Sequence, residues 1–197
     1  MGSSQADKSL SHQRIIDAAA AQIRREGVAS INIAALMSDA GLTHGGFYRH
    51  FGSRDELIAE AIESAFDRNP YQNAENPSER GTGSLDSVID TYLSPEHRDN
   101  PETGCAVAAL ASDVARGDET ARAKYTTHVR QYLDRLARRG PSTSPDAPYL
   151  TLAALVGALA LARAVNDPAL SDELLMRTAH GLRELGQTRG GVGGRQP

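Results

Sequence analysis

The stretch from Asn32 to Leu57, NIAALMSDAGLTHGGFYRHFGSRDEL, leaves little freedom for the fold around it. Asn32 can accept a hydrogen bond from an otherwise unpaired first-turn amide and so start a short helix. Ala40-Gly41 supplies a turn, and Thr43 can start a second short helix by the same means. Ser53 and Glu56 form the pair S-x-x-E, in which each side chain caps the other's end of the first turn, so a third helix starts at Ser53. Leu57, Ile58, Ala61, Ile62, Ala65 and Phe66 then hold one apolar stripe for three turns.

Two short helices around a glycine-containing turn are the helix-turn-helix unit, whose second helix enters the DNA major groove. The residues resemble the N-terminal domain of TetR-type (TetR/AcrR) transcriptional regulators. In that family an Ala-Gly turn leads to a Thr or Ser, a Gly, then Tyr-x-His-Phe and a basic residue opening the next helix. Here these are Ala40-Gly41, Thr43, Gly45, Tyr48-Arg49-His50-Phe51 and Arg54.

The resemblance implies that the segment from Thr43 to Phe51 lies in the major groove. It makes Thr43, Tyr48, His50 and Arg54 phosphate contacts and His44 the residue nearest a base edge. An imidazole reads sequence less sharply than an arginine paired with guanine. Gly45 and Gly46 let the backbone approach DNA closely, or one of them packs on the preceding helix. The family often has a small hydroxyl residue where Gly46 stands. Phe47 and Phe51 are expected in the core. Arg54 opposes the dipole of the helix it begins, so a phosphate is the better reason for it than stability. Asn32 adds a phosphate contact through backbone amides at its helix mouth.

A formal net charge of −4 does not decide against DNA, because the local surface matters more than the sum. Up to Arg54 there are six Lys/Arg (8, 14, 24, 25, 49, 54) against four Asp/Glu (7, 17, 26, 39), a modest excess. The chain has 197 residues, 40% hydrophobic and 23% charged, enough for a real core. One cysteine permits no intrachain disulfide. No segment reads as a secretion signal, and the most apolar stretch, Leu150 to Ala162, is shorter than the roughly 18 to 20 residues that span a bilayer. A cytoplasmic, soluble protein is expected.

The spacing predicts an all-α chain. Residues 1–10 are small and polar and expected to be frayed. A helix-turn-helix domain covers 11–68, opening with a helix from about Ser11 to Arg25 that buries Ile15, Ile16, Ala19 and Ile23. Asn69 to Gly83 is rich in Pro, Asn, Ser and Gly and marks a boundary. A helical domain follows over 69–187, with helices near 84–93, 102–116, 118–139, 147–166 and 169–186; the resemblance implies that it binds an effector and dimerises. Gly117-Asp118 and Asn166-Asp167-Pro168 make sharp corners. The tail, 188–197, is expected to be flexible. The last two helices resemble the family's four-helix dimer interface; the alternative is that they close the monomer core.

Cys105 falls in or near the first turn of a helix after the loop SPEHRDNPET. Helix N-termini favour thiolates, and some TetR-type regulators carry a responsive cysteine after a glycine at this place. The alternative is a packed small apolar residue. Candidates for an effector pocket are Phe66, Tyr92, Cys105, Tyr125, His128, Tyr132 and Arg163. His12, His97, His128 and His180 are not at metal-ligand spacing, and no metal or cofactor is expected. Arg135, Arg138 and Arg139 suit a helix C-terminus.

The function implied is a homodimeric, sequence-specific DNA-binding regulator and not an enzyme. By the resemblance it is a repressor on a palindromic operator, released by an unidentified small-molecule effector. The alternative is a thiol-based redox or electrophile sensor, or a thiol enzyme, using Cys105 with His97 as the nearest candidate base.

Overall fold

The computed structural model describes residues 5–67, 84–139 and 144–188. The expected loop over Asn69 to Gly83 and the tail RGGVGGRQP lie outside these. In chain order the helices are α1 (Gln5–Glu26), α2 (Ile33–Asp39), α3 (Arg54–Asp67), α4 (Leu85–Tyr92), α5 (Pro95–Asp99), α6 (Ala106–Ala115), α7 (Glu119–Arg139), α8 (Ala147–Ala164) and α9 (Pro168–Thr188). Short 3-10 segments stand at Val28–Ser30, His44–Arg49 and Pro101–Thr103. No strand occurs among the described residues. They fall into two units: 5–67 with 101–125, and 84–100 with 126–188. Residues 101–125, which the sequence groups with the C-terminal part, thus pack with the N-terminal helices.

In the first unit Ile15, Ile16, Ala19, Ala20 and Ile23 of α1 are buried with Leu57, Ala61, Ile62, Ala65 and Phe66 of α3. Val107, Leu110 and Val114 of α6 join this core. Each large apolar side chain removed from water contributes about 1.5 to 3 kcal/mol. α1 begins at Gln5, not near Ser11. Gln5, Ala6, Lys8 and Leu10 are good helix formers, and Asp7 suits the dipole of the first turn. Arg24 donates to the carbonyls of Glu102 at 2.7 Å and Ala65 at 3.0 Å, fastening α1 to both neighbours.

Two glycines have positive φ. Gly27 (φ 83) ends α1, its N–H on Ile23 O at 2.9 Å, and a Cβ there would sit 3.1 Å from Asp113 Oδ2. Any other residue there is strained by its backbone conformation and needs the Asp113 side chain to give way by a few tenths of an ångström. Gly41 (φ 72) turns the chain after α2. Asp118 accepts from Ala121 N–H at 2.8 Å and caps α7 as the corner predicts.

In the second unit Leu152, Leu155, Leu159 and Ala162 of α8 are buried, as are Leu175, Ala179 and Leu182 of α9. Asp167 caps α9 by accepting from Ala169 and Leu170 N–H at 3.0 and 3.2 Å. α5 was expected to be loop. Its start signal is nonetheless present: Ser94 accepts from His97 N–H at 3.1 Å and Pro95 occupies the first turn. The helix expected from about 102 starts at Ala106, with a 3-10 turn before it.

His97 is fully buried, its Nδ1 donating to Tyr92 O at 2.7 Å while its ring meets Tyr92 edge-on. Burial pushes its pKa down to about 4, against the raising effect of that bond. Arg163 donates to Arg98 O at 3.0 Å and to His97 O, so it ties α8 to α5. Arg98 in turn reaches Ser171 and Asp172 on α9. α8 runs 18 residues, so by length and composition it could cross a membrane, contrary to the expectation from Leu150 to Ala162 alone. Pro148 and Tyr149 at one end and Arg163 at the other lengthen it, and its buried face packs on α9.

Candidate nucleic-acid interface

Asn32 caps α2, accepting from Ala35 N–H at 3.1 Å. Buried Leu36 and Met37 then fix α2 to the unit's core. After Gly41 the chain enters the 3-10 segment His44–Arg49, not the α-helix expected over Thr43 to Phe51. Thr43 stands at the cap position but its side chain caps nothing. Two consecutive glycines disfavour an α-helix by about 1 kcal/mol each relative to Ala. Tighter turns suffice to bring Phe47 and Phe51 inward.

Those two rings form the anchor. Both are buried and stack with centroids 5.4 Å apart. The His12 imidazole of α1 stacks on Phe51 at 4.6 Å, and its Nε2 lies 2.9 Å from Glu60 Oε2 of α3. Phe47 meets the edge of Tyr48 at 5.3 Å. With the phenylalanines inward, the other face points out. Thr43, His44, Gly45, Tyr48 and Arg49 are exposed, Tyr48 by 72%. The structure therefore brings Thr43, His44, Gly45 and Tyr48 onto one outward surface. Arg49 joins them there, a cation that the family pattern, with its free middle position, does not single out.

Gly46 is half-buried. A Cβ there would meet Met37 and Thr43 at 3.6 Å, an ordinary contact, and one at Gly45 would meet nothing. Neither glycine is demanded by packing or by its φ. His50 is also half-buried, and its Nδ1 is buried without a hydrogen-bond partner. Burial lowers its pKa, and His12, Lys8 and Arg49 lower it further.

Arg54 has a structural role that the dipole argument missed. Its Nη2 donates to Val28 O at 3.3 Å and to Ile31 O at 3.5 Å, closing the turn before α2. Ser53 accepts from Glu56 N–H at 3.1 Å, and Glu56 accepts from Gly52 N–H at 2.6 Å. The capping box forms, its return bond displaced by one residue from the expected amide.

The effector-pocket candidates separate between units. In the first, Phe66 meets Tyr125 edge-on at 5.8 Å, and Tyr125 donates to Val107 O at 3.0 Å. Burial, with a smaller effect of Cys105, raises the Tyr125 pKa to about 12. Cys105 stands at the N-cap of α6 and is 0% exposed. In the second, Tyr92 and Arg163 belong to the His97 cluster, Tyr132 is buried and His128 half-buried. No three His, Cys, Asp or Glu among the described residues are grouped to hold a metal ion.

A family model described as bacterial regulatory proteins, tetR family, matches residues 15–61. An uncharacterised HTH-type transcriptional regulator of Mycobacterium tuberculosis is 27% identical over 169 residues, covering 79% of this chain and 85% of the relative. Among solved structures, a TetR-family transcriptional regulator from Cytophaga hutchinsonii superposes with a TM-score of 0.72 at 16% identity, over 93% of this chain and 98% of that one. A TetR regulator from Chloroflexus aurantiacus gives 0.69 at 20%, over 91% and 98%. At these identities the structures speak for the fold alone. The matched residues 15–61 take in most of α1, all of α2, the outward-facing 3-10 segment and the first part of α3, and over them the chain matches the tetR family of bacterial regulatory proteins.

Proposed function

We propose that the chain is a homodimeric repressor that grips a palindromic DNA operator and is released by a small-molecule effector. The observation that carries the DNA contact is the outward face of the segment His44–Arg49, fixed from behind by Phe47 and Phe51. Thr43, Tyr48 and Asn32 then meet phosphates, and His44 meets a base edge. Gly45 and Gly46 leave room for backbone to approach. Phosphate contacts position such a protein and base contacts specify. His50 adds a phosphate contact from the edge of this surface, and Arg54 sets the turn that presents α2 besides any phosphate it meets.

The dimer reading is supported by the apolar side chains that α8 and α9 leave uncovered. Tyr149, Leu150, Leu161, Leu170, Met176 and Leu185 are exposed on these two helices. A second copy with the same face would cover them in a two-fold interface, which also matches a two-fold operator. An effector that binds one conformation better than the other shifts the spacing between the two reading segments, and DNA and effector then oppose each other by linkage. Such a protein works in the cytoplasm, where the DNA is.

Selection of the purified protein against random duplex DNA, with sequencing of the bound pool, tests this. Enrichment of a palindrome whose half-sites lie about one helical turn, or a multiple, apart supports it. A pool with no enriched sequence at low salt overturns it.

A further inference from the structure

We propose that the first unit carries a ligand site of its own, for a small apolar molecule bearing one carboxylate. The site is a cavity of about 360 Å³ walled by the start of α3, the end of α6 and the start of α7. Its volume lies in the range of small-molecule sites, roughly 300 to 1,000 Å³. Val28, Ile58, Ala59, Ile62, Val114 and Ala121 give it an apolar lining.

The charges at its edge decide the ligand. Six charged residues line the cavity: Arg54, Asp55, Asp113, Arg116, Asp118 and Lys124. Five are already compensated. Arg116 pairs with Asp113 at 3.3 Å, and Lys124 with Glu63 at 2.6 Å. Asp118 accepts from Ala121 N–H, and Asp55 lies in the first turn of α3, where the helix dipole favours an anion. Arg54 alone of the lining cations has no carboxylate partner, and only its Nη2 is engaged, on two carbonyls at 3.3 and 3.5 Å. A ligand carboxylate offers the guanidinium the charged, two-point partner it lacks.

The position gives such a ligand leverage. The turn Val28–Ser30 immediately precedes α2 and is held from two sides. Arg54 takes its carbonyl oxygens, and Asp113 Oδ2 accepts from Val28 N–H at 3.4 Å. A carboxylate that draws Arg54 away releases one of the two holds, so the ligand acts on the DNA-reading helices from within their own unit. This control rests on the regulator reading above; the binding site itself does not.

The test is calorimetric titration of the full chain, without DNA, with 2-naphthoate, with octanoate and with the neutral 2-naphthamide. At least one carboxylate should bind, and 2-naphthamide should bind about tenfold more weakly than 2-naphthoate, a difference of about 1.4 kcal/mol. Arg54→Gln should erase that difference, and Ala121→Leu, which narrows the cavity, should abolish binding with helicity unchanged by circular dichroism. The proposal is overturned if neither carboxylate binds, or if binding survives both substitutions unaltered. Carboxylate binding that follows this pattern, in a protein that selects no duplex, upholds the site while removing the regulator reading.

Discussion

The imidazole of His12 lies flat on the ring of Phe51, centroids 4.6 Å apart and planes 22° from parallel, with Glu60 fixing its far edge. This places a residue of α1 directly behind the outward-facing segment His44–Arg49. His12→Ala removes both the ring contact and the bond to Glu60, and should cost about 1 kcal/mol in urea unfolding. His12→Phe keeps the stack and should recover about half. A variant His12→Ala as stable as the parent would show that the stack contributes nothing.

Gly45 faces open space and has an ordinary backbone conformation, so a methyl group there meets no protein atom. Gly45→Ala should therefore raise stability by about 0.4 to 1 kcal/mol, through the unfolded chain. If the glycine is there for the backbone to approach DNA, the same change weakens operator binding. Unfolding and DNA affinity would move in opposite directions, a combination that packing alone does not produce.

His97 makes the fold sensitive to acid. Its pKa is near 4 in the folded protein and near 6.5 when unfolded, so between these values the unfolded chain binds the extra proton. Stability is thus fully present above about pH 6.5 and declines as the pH falls toward 4. The loss is about 3.5 kcal/mol at most, at about 1.4 kcal/mol per pKa unit. Unfolding followed from pH 7 to 4 gives the slope, and NMR titration of the His97 ring gives its origin. An imidazole titrating near 6.5 in the folded protein would refute the assignment.

Leu161 is 55% exposed on α8 and Met176 is 64% exposed on α9. Leu161→Asp should convert the dimer to monomer in sedimentation velocity while leaving the helical signal intact. DNA affinity should fall by about tenfold or more, since two half-sites are no longer read together. A monomeric parent protein would remove the basis of the interface.

What could be read in advance was local. The Asn32 and Ser53 caps, the turn at Gly41 and the inward Phe47 and Phe51 depend on neighbours a few residues away, and short-range spacing records them. The structural role of Arg54 was not legible because its partners, Val28 and Ile31, belong to another turn of the chain. Arg163, offered as a pocket residue, bridges two helices of the second unit through partners equally remote in sequence. The 3-10 geometry of His44–Arg49 was missed because two glycines weaken the helix without naming its replacement. Asp113, which holds the turn before α2, carries no signal at all: nothing in the order of residues places the end of α6 beside Gly27.

The 3-10 segment divides its labour cleanly, with two inward rings holding it and the remaining positions turned to the outside. On the proposed reading, fold and message are written on different residues. The outer positions can then be exchanged with the two buried rings left in place, so a few surface replacements would readdress such a body to a new stretch of genome.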